Sequence, residues 1–382
     1  MKIAFLNDGP YEYALGGGEW HGGLERNIWI LSRALARAGW RVQVAVRGAL
    51  ALKERNVIEG VEYIGIGQGP LAPGQILMEW YRFLSSERPD WLFWGGGSHL
   101  FGPLVEIGKW LGVGTIFHAC LDADVQPRRG VFSRSRLWPL YAWGLRRTDK
   151  IFVQHSGQLL MLHPRLRAKA CTLPKVGLLP SAVKPHAQRR GYVAWIATLR
   201  QHKRPDLLIE LAKRAQEIQF IVCGGPTEYQ TAAEYSLGMV EALSKLPNVD
   251  YRGRVKPDEA MEVIANAAVL LCTSDEEGFP NTFMQAWASG TPVVTLKVDP
   301  DGIIEKVGLG KVSRTVNIAV TDINALIASP DQRERIALRA RRYISEKHNE
   351  TAVVKIFTDA LRHRLDVQES VMSGSQVPTL KS

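Results

Sequence analysis

The stretch Asp275-Glu276-Glu277-Gly278-Phe279-Pro280-Asn281-Thr282-Phe283-Met284-Gln285-Ala286-Trp287-Ala288-Ser289-Gly290-Thr291-Pro292-Val293-Val294 decides the fold. It predicts an acidic loop, a short helix, a turn and a strand. The apolar run Ala267 to Cys272 enters the loop and reads as a buried strand. Pro280 fits a helix start and Asn281 is a capable N-cap. Gly290 ends the helix, and Pro292 prevents its continuation. Glu277 is therefore expected in a loop at the mouth of a helix whose free N–H groups point outward. Such an end favours phosphate or sugar oxygens, and a carboxylate beside it can accept hydrogen bonds from sugar hydroxyls. The residue types alone equally allow an ordinary strand–loop–helix unit with a solvated acidic loop.

Working outward, the same alternation recurs. Lys2 to Asn7 reads as a first buried strand, followed by Gly16-Gly17-Gly18 and Gly22-Gly23. A helix is expected from Leu24 to Ala38, with Ile28, Leu31, Leu35 and Ala38 on one face, and Arg41 to Val46 as the next strand. This is the start of a doubly wound α/β domain. No Gly-x-Gly-x-x-Gly follows the strand, which disfavours a dinucleotide-dependent oxidoreductase. Trp91 to Trp94, Thr115 to Ala119, Ile151 to Gln154 and Val176 to Leu179 read as further strands, and Pro180 to Gly191 as a linker. A second domain opens with strand Tyr192 to Ala197, helix Pro205 to Ala215 and strand Gln219 to Cys223. The reading assigns 1–185 to a first Rossmann-like domain and 186–345 to a second. It assigns 346–368 to a helix returning to the first domain, and 369–382 to a disordered tail.

The opening stretch closely resembles the donor-site signature of family 4 glycosyltransferases, which have the GT-B fold. That signature has Glu-Gly-Phe-Pro, a second Glu eight positions after the first, then Ala-x-Ala-x-Gly-x-Pro-Val. Here the first Glu is Glu277, followed by Gly278, Phe279, Pro280 and Asn281, and the second position is Gln285. The resemblance implies that Glu277 contacts the donor sugar and that position 285 contacts the ribose. Gln can serve there as donor and acceptor. Gly22-Gly23-Leu24-Glu25-Arg26 resembles the N-terminal loop of the same family, which approaches the donor diphosphate. Ala197-Thr198-Leu199-Arg200-Gln201-His202-Lys203 matches the segment whose Arg and Lys neutralise that diphosphate. Lys203 keeps the Lys position, while Thr198 stands at the Arg position, for which Arg200 or Arg204 could compensate. His118, at a strand end, matches an active-site His; a hydrogen-bonded core histidine is the equal alternative. Gly253-Arg254-Val255 falls where the family holds the base, although Arg254 could equally be a surface arginine.

The resemblance implies two Rossmann-like domains facing across a cleft. It also implies transfer of a sugar from a nucleotide-sugar donor to an acceptor hydroxyl, with retention, in polysaccharide, lipopolysaccharide or glycolipid assembly. Asp122-Ala123-Asp124 and Asp299-Pro300-Asp301 spell a pattern that other glycosyltransferases use for a divalent metal. Because GT-B enzymes do not usually need one, no metal and no cofactor is expected. Two rivals stay open: a sugar-nucleotide epimerase on the same architecture, and a non-catalytic nucleotide-sugar-binding protein.

Composition bounds the partners. The chain has 382 residues, 46% of them hydrophobic, enough for two domains of ordinary size. No apolar run is long enough to span a bilayer, and Asp8 interrupts any leader-like start, so a cytoplasmic protein is expected. Cys120, Cys171, Cys223 and Cys272 make no metal spacing and read as reduced core thiols. The net charge of +10 is uneven: residues 126–190 carry 14 Lys and Arg against the single acid Asp149. Between 126 and 150, Arg128, Arg129, Arg134, Arg136, Arg146, Arg147 and Lys150 interleave with Phe132, Trp138, Tyr141 and Trp143. That pattern suits an anionic membrane surface, peripheral docking and a glycan or lipid-linked acceptor. Nucleic acid is not expected, because no recognition module is present.

Overall fold

A computed structural model describes residues 1–17, 22–69, 71–126, 136–226 and 230–373, with side chains described as far as 226 and from 233 to 362. The chain forms two α/β units, each built on one sheet. The first sheet has the order β3-β4-β2-β1-β5-β6-β7-β8. Its strands are β1 Lys2–Leu6, β2 Arg41–Arg47, β3 Arg55–Ile58, β4 Val61–Gly67, β5 Trp91–Gly95, β6 Gly114–His118, β7 Lys150–Val153 and β8 Ala170–Thr172. All pair in parallel except β3, which joins β4 through a two-residue turn. Both turn residues, Glu59 at φ 50° and Gly60 at φ 82°, take the left-handed conformation that matches strand twist in such hairpins. Central strands read as unbroken apolar runs because helices cover both faces: Ile3, Ala4 and Phe5 are all fully buried.

The second sheet is wholly parallel, in the order β11-β10-β9-β12-β13-β14. It comprises β9 Val193–Ile196, β10 Phe220–Cys223, β11 Val249–Gly253, β12 Val269–Cys272, β13 Val293–Thr295 and β14 Gly310–Val312. Its two faces carry separate apolar layers, one around Phe283 and Trp287 and the other around Trp195, Phe220 and Leu271.

The final helix, Glu350–Ser373, follows the second unit in sequence but is buried against the first. Phe357 lies 5.0 Å from Phe152, 5.7 Å from Trp40 and 6.4 Å from Phe93 by ring centroids. Arg37 and Glu350 add a bidentate ion pair at the helix start.

Three expectations are corrected, and two elements appear that none anticipated. Residues 176–179 form no strand; β8 lies earlier, and Gly177 instead donates its N–H to the His348 carbonyl at 2.8 Å. The hairpin β3–β4 and the helix Gly9–Ala14 were not visible as periodic patterns. Helical backbone continues through Ser373, beyond the expected start of the tail; residues 374–382 lie outside the described residues. Pro280, not Asn281, is the N-cap of the helix Asn281–Ala288, and the Asn281 amide is used elsewhere.

Candidate active site

In a doubly wound sheet the ligand crevice opens at the carboxyl ends of strands where the winding reverses. In the second sheet that point lies between the adjacent strands β9 and β12. The segment after β9 carries Lys203, and the segment after β12 carries Glu277. The sheet order therefore brings together residues 74 positions apart: the Lys203 ammonium donates to Glu277 Oε1, which also accepts from Ser274 Oγ at 2.9 Å. Both side chains are largely shielded, at 19% and 13% exposure. The backbone beneath them is fixed as well. Trp195 Nε1 donates to Thr273 Oγ1 at 2.9 Å, and that hydroxyl donates to the Lys203 carbonyl at 2.7 Å.

The loop tip is pressed against the first unit. A Cβ on Gly278 would lie 2.3 Å from the Cys120 carbonyl oxygen and 2.6 Å from Gln154 Oε1, so only glycine permits this approach. Phe279 donates its N–H to Gln154 Oε1 at 2.6 Å. The Lys175 ammonium donates to the Phe279 carbonyl and, at 2.8 Å, to Asn281 Oδ1. Asn281 Nδ2 donates to the Gly23 carbonyl at 2.8 Å. Gly23 opens the helix Gly23–Arg37, with Gly22 as its N-cap. A Cβ at Gly23 would meet Asn281 Nδ2 at 2.4 Å, so the two loops touch only because this residue is glycine.

The remaining predicted residues fall into two groups. His118 ends β6, buried, with its ring 5.6 Å from that of Phe93. Burial and then the Lys175 charge lower its pKa to about 3, so the ring is neutral at pH 7. It lines a small pocket with Lys175 and Phe93, and no hydrogen bond joins it to Glu277 or Lys203. Gln285 is half-buried on the helix Asn281–Ala288. Arg254 and Val255 follow β11; Arg254 packs over Gly225 and donates to the Pro226 carbonyl at 3.2 Å. Arg200 is exposed just before the turn Gln201–Lys203. Arg204, the other cation considered for the Thr198 position, has its guanidinium paired with Asp206 at 2.7 Å and Asp275 at 3.3 Å.

The two Asp-x-Asp segments are occupied by protein partners. The Asp124 carboxylate accepts the N–H groups of Cys120, Leu121 and Gly97 at 2.7, 2.9 and 3.2 Å. Asp122 accepts from His155 and Gln158, and Asp299 from the N–H of Ile304. Asp301 reaches across the cleft to Ser156, accepting from its N–H at 3.0 Å and its hydroxyl at 2.6 Å. Among the described residues no cluster of His, Cys, Asp and Glu could hold a metal ion.

Between these contacts lies an open cavity of about 430 Å³, lined by Glu276, Glu277, Gly278, Lys297, Asp301 and Ser156 among others. A second cavity, of about 320 Å³, sits at the carboxyl ends of β1 and β2 in the first unit. Asp8, Glu25, Arg47, Trp80 and Trp94 line it, and Arg47 is paired with Glu79 at 2.8 Å. Sequence reasoning missed Lys175, Gln154 and the Asp301–Ser156 bridge. The one available signal was a lysine inside the apolar run Leu173-Pro174-Lys175-Val176.

Residues 181–347 match the sequence model of the family described as glycosyl transferases group 1, and residues 21–158 that of Glycosyltransferase Family 4. A D-inositol 3-phosphate glycosyltransferase of Corynebacterium diphtheriae is 30% identical over 112 residues, which are 28% of this chain and 26% of that protein. The chain thus matches about a quarter of that relative's length. Sucrose-phosphate synthase from Thermosynechococcus elongatus superposes with a TM-score of 0.78 at 16% identity, covering 96% of this chain and all of that one. Anabaena HepE, solved with UDP and glucose, superposes at 0.69 and 13% identity, covering 95% of this chain and 100% of its own. At such identities the likeness is one of fold: two Rossmann-like domains in the GT-B arrangement.

Proposed function

The chain belongs to the group 1 glycosyl transferases of family 4, and from that premise we propose that it moves a sugar from a nucleotide-sugar donor to an acceptor hydroxyl with retention of configuration. The observation that carries the reading is the Lys203–Glu277–Ser274 arrangement at the switch point of the second sheet. Glu277 spends one carboxylate oxygen on Lys203 and Ser274. Its other oxygen is then suited to accept from donor sugar hydroxyls. Lys203 and the N-terminal N–H groups of the helix Asn281–Ala288 supply the positive potential that a departing diphosphate needs. Gln285 would bond the ribose, and Arg254 and Val255 would lie against the base. His118, neutral and buried, would shape the sugar pocket rather than carry charge.

In the front-face reaction the bond from the sugar's anomeric carbon to the diphosphate oxygen breaks. The acceptor oxygen bonds the same carbon on the same face, and its proton passes to the departing diphosphate. The first-unit cavity around Asp8, Arg47 and Trp94 is the proposed acceptor side. The reading invokes no metal, and each Asp-x-Asp carboxylate accepts hydrogen bonds from the protein. Transfer unchanged by a chelator is the expected result.

The deciding experiment incubates the protein with nucleotide sugars, with and without hydroxyl acceptors, and follows nucleoside diphosphate release and product stereochemistry. Acceptor-dependent release with a retained anomer is expected. Conversion of the donor sugar without acceptor would identify an epimerase. Binding with no release under any condition would identify a binding protein.

Peripheral membrane docking belongs to the same reading. Arg128, Arg129 and Arg134 lie outside the described residues. Within them, the helix Trp138–Arg147 buries Tyr141 but leaves Leu140 and Trp143 about two-fifths exposed. Arg136, Leu140, Trp143 and Arg146 are exposed there, while Arg147 is paired with Glu106 at 2.7 Å; exposed aromatics beside cations suit an anionic interface. Each basic residue near such a surface contributes about 1 kcal/mol. Co-sedimentation with anionic vesicles, reversed by salt and weakened by Trp143→Ser with Arg146→Glu, is expected; equal recovery with neutral vesicles and in high salt would exclude docking.

A further inference from the structure

The geometry points to Lys175 as a positioning residue that fastens the donor loop to the glycine loop across the boundary between the two domains. Lys175 lies after β8, ahead of the linker at 180–191, with its side chain half-buried. Its ammonium spans two acceptors on the donor loop, the Phe279 carbonyl and Asn281 Oδ1. Because an ammonium can only donate and a peptide carbonyl can only accept, the Asn281 amide has one orientation available. Oδ1 must face Lys175 and Nδ2 must face the Gly23 carbonyl, as the 2.8 Å contacts on either side record. Lys175 therefore dictates which way Asn281 points, and Asn281 holds the glycine loop.

The peptide groups beside Glu277 are gripped from both directions. Gln154 takes the Phe279 N–H and Lys175 takes its carbonyl, and both belong to the first domain. Two residues earlier in the same loop stands Glu277. Its position over the cleft thus depends on a cation that makes no hydrogen bond to it.

The site around the ammonium is crowded with titratable groups. Burial lowers the Lys175 pKa to about 7, against the opposing pull of Cys120 and Glu277, while Arg26 and Lys203 add to the lowering. His118 and His348 face it as well, and the His348 ring nitrogen lies 2.8 Å from the Lys175 carbonyl. Both the ammonium and the neutral amine can donate two hydrogen bonds, so the fastening survives on either side of neutrality. A methionine of similar length can make neither.

This inference rests on the donor-site reading, and its test separates the two. Hydrogen–deuterium exchange is measured on the unliganded full chain for the wild type, Lys175→Met, Lys175→Arg, Asn281→Ala and the double variant Lys175→Met with Asn281→Ala. Donor kcat/KM is measured on the same set. In Lys175→Met, amides in both loops, 277–281 and 22–26, are expected to exchange about tenfold faster, as for loss of a local closing contact. The sheet strands should be unaffected. Asn281→Ala should give the same pattern, and the double variant should add little, with a similar non-additivity in kcat/KM. Lys175→Arg should restore most of both. Exchange changed in the donor loop alone, or fully additive effects, would overturn the fastening. So would a Lys175→Met protein whose two loops and kcat/KM match the wild type. If the wild type transfers no sugar, the exchange arm still decides the matter, and only the donor-site reading falls. If Lys175→Met does not fold, Asn281→Ala alone must loosen the glycine loop for the proposal to stand.

Discussion

The two walls of the cleft are made by opposite means. On the second-domain wall, Lys203, Ser274 and Glu277 sit on two loops that follow adjacent strands, and they meet through side chains. On the first-domain wall, the contacts to the donor loop come from the Cys120 carbonyl, Gln154, the Gly23 carbonyl and Lys175, which stand on four separate segments. One wall concentrates chemistry in a short motif. The other supplies shape and restraint from scattered positions. Variants of the first wall should therefore disturb geometry and stability, and variants of the second should disturb binding and rate in a protein that still folds.

The largest effect expected under that division falls on the first domain, from a residue near the end of the chain. Phe357 is fully buried among Trp40, Phe93 and Phe152. Phe357→Ala should cost about 3–5 kcal/mol of stability in denaturant titration, as for other large buried aromatics. A loss below about 1 kcal/mol, in the range of ordinary surface substitutions, would mean that the final helix does not complete the first core.

Next comes Glu277. Glu277→Ala should lower kcat/KM by on the order of 100-fold or more, comparable to losing one group that stabilises a transition state. Because the substitution leaves Lys203 without its carboxylate, Glu277→Gln is the needed companion: it keeps an oxygen for Lys203 but removes the charge. Near-normal turnover by both folded variants would remove Glu277 from the reaction. Lys203→Ala should act more narrowly, weakening nucleoside diphosphate binding by about tenfold, the range for one charge-assisted hydrogen bond. Equal affinities by calorimetry would show that the ammonium serves only to hold Glu277.

The asymmetry also explains how much could be read from sequence. The second domain was legible because its cues are local. Pro280 and Gly290 bound one helix, with Gly290 at φ 71° closing it. The apolar run into β12 is continuous, and Glu277 lies within a contiguous stretch. Asn281 is instructive in the other direction. Local rules favour it as a cap, but a lysine 106 residues away and a carbonyl 258 residues away claim its amide. Gln154 and Lys175 were missed for the same reason, since their partners are set by how the domains meet and not by any periodicity. The edge strand β3 escaped because its alternation of exposed and half-buried residues spans only Arg55–Ile58. The aim of Arg204 was not legible either, since its partners are Asp206, two residues on, and Asp275, which faces it across the loop.

The smallest expected effect is the sharpest test of the division, because it concerns a residue that departs from the family pattern. Gln285 is half-buried on the helix that begins beside the donor loop, eight residues after Glu277. If it bonds ribose hydroxyls, its amide and a carboxylate are nearly equivalent there, since both offer an oxygen acceptor at the same reach. Gln285→Glu should then keep kcat/KM within a few-fold, roughly the 1 kcal/mol spread of one neutral hydrogen bond. Gln285→Leu has similar volume but no polar atom. It should raise the donor KM by about five- to tenfold at nearly constant kcat, because the bond is made equally in the ground and transition states. Thermal stability should barely move in either variant. A harmless Leu would take ribose binding away from position 285. A kcat loss matching the KM rise would place Gln285 among the groups that orient the sugar, and the donor wall would then be denser in chemistry than its sequence motif suggests.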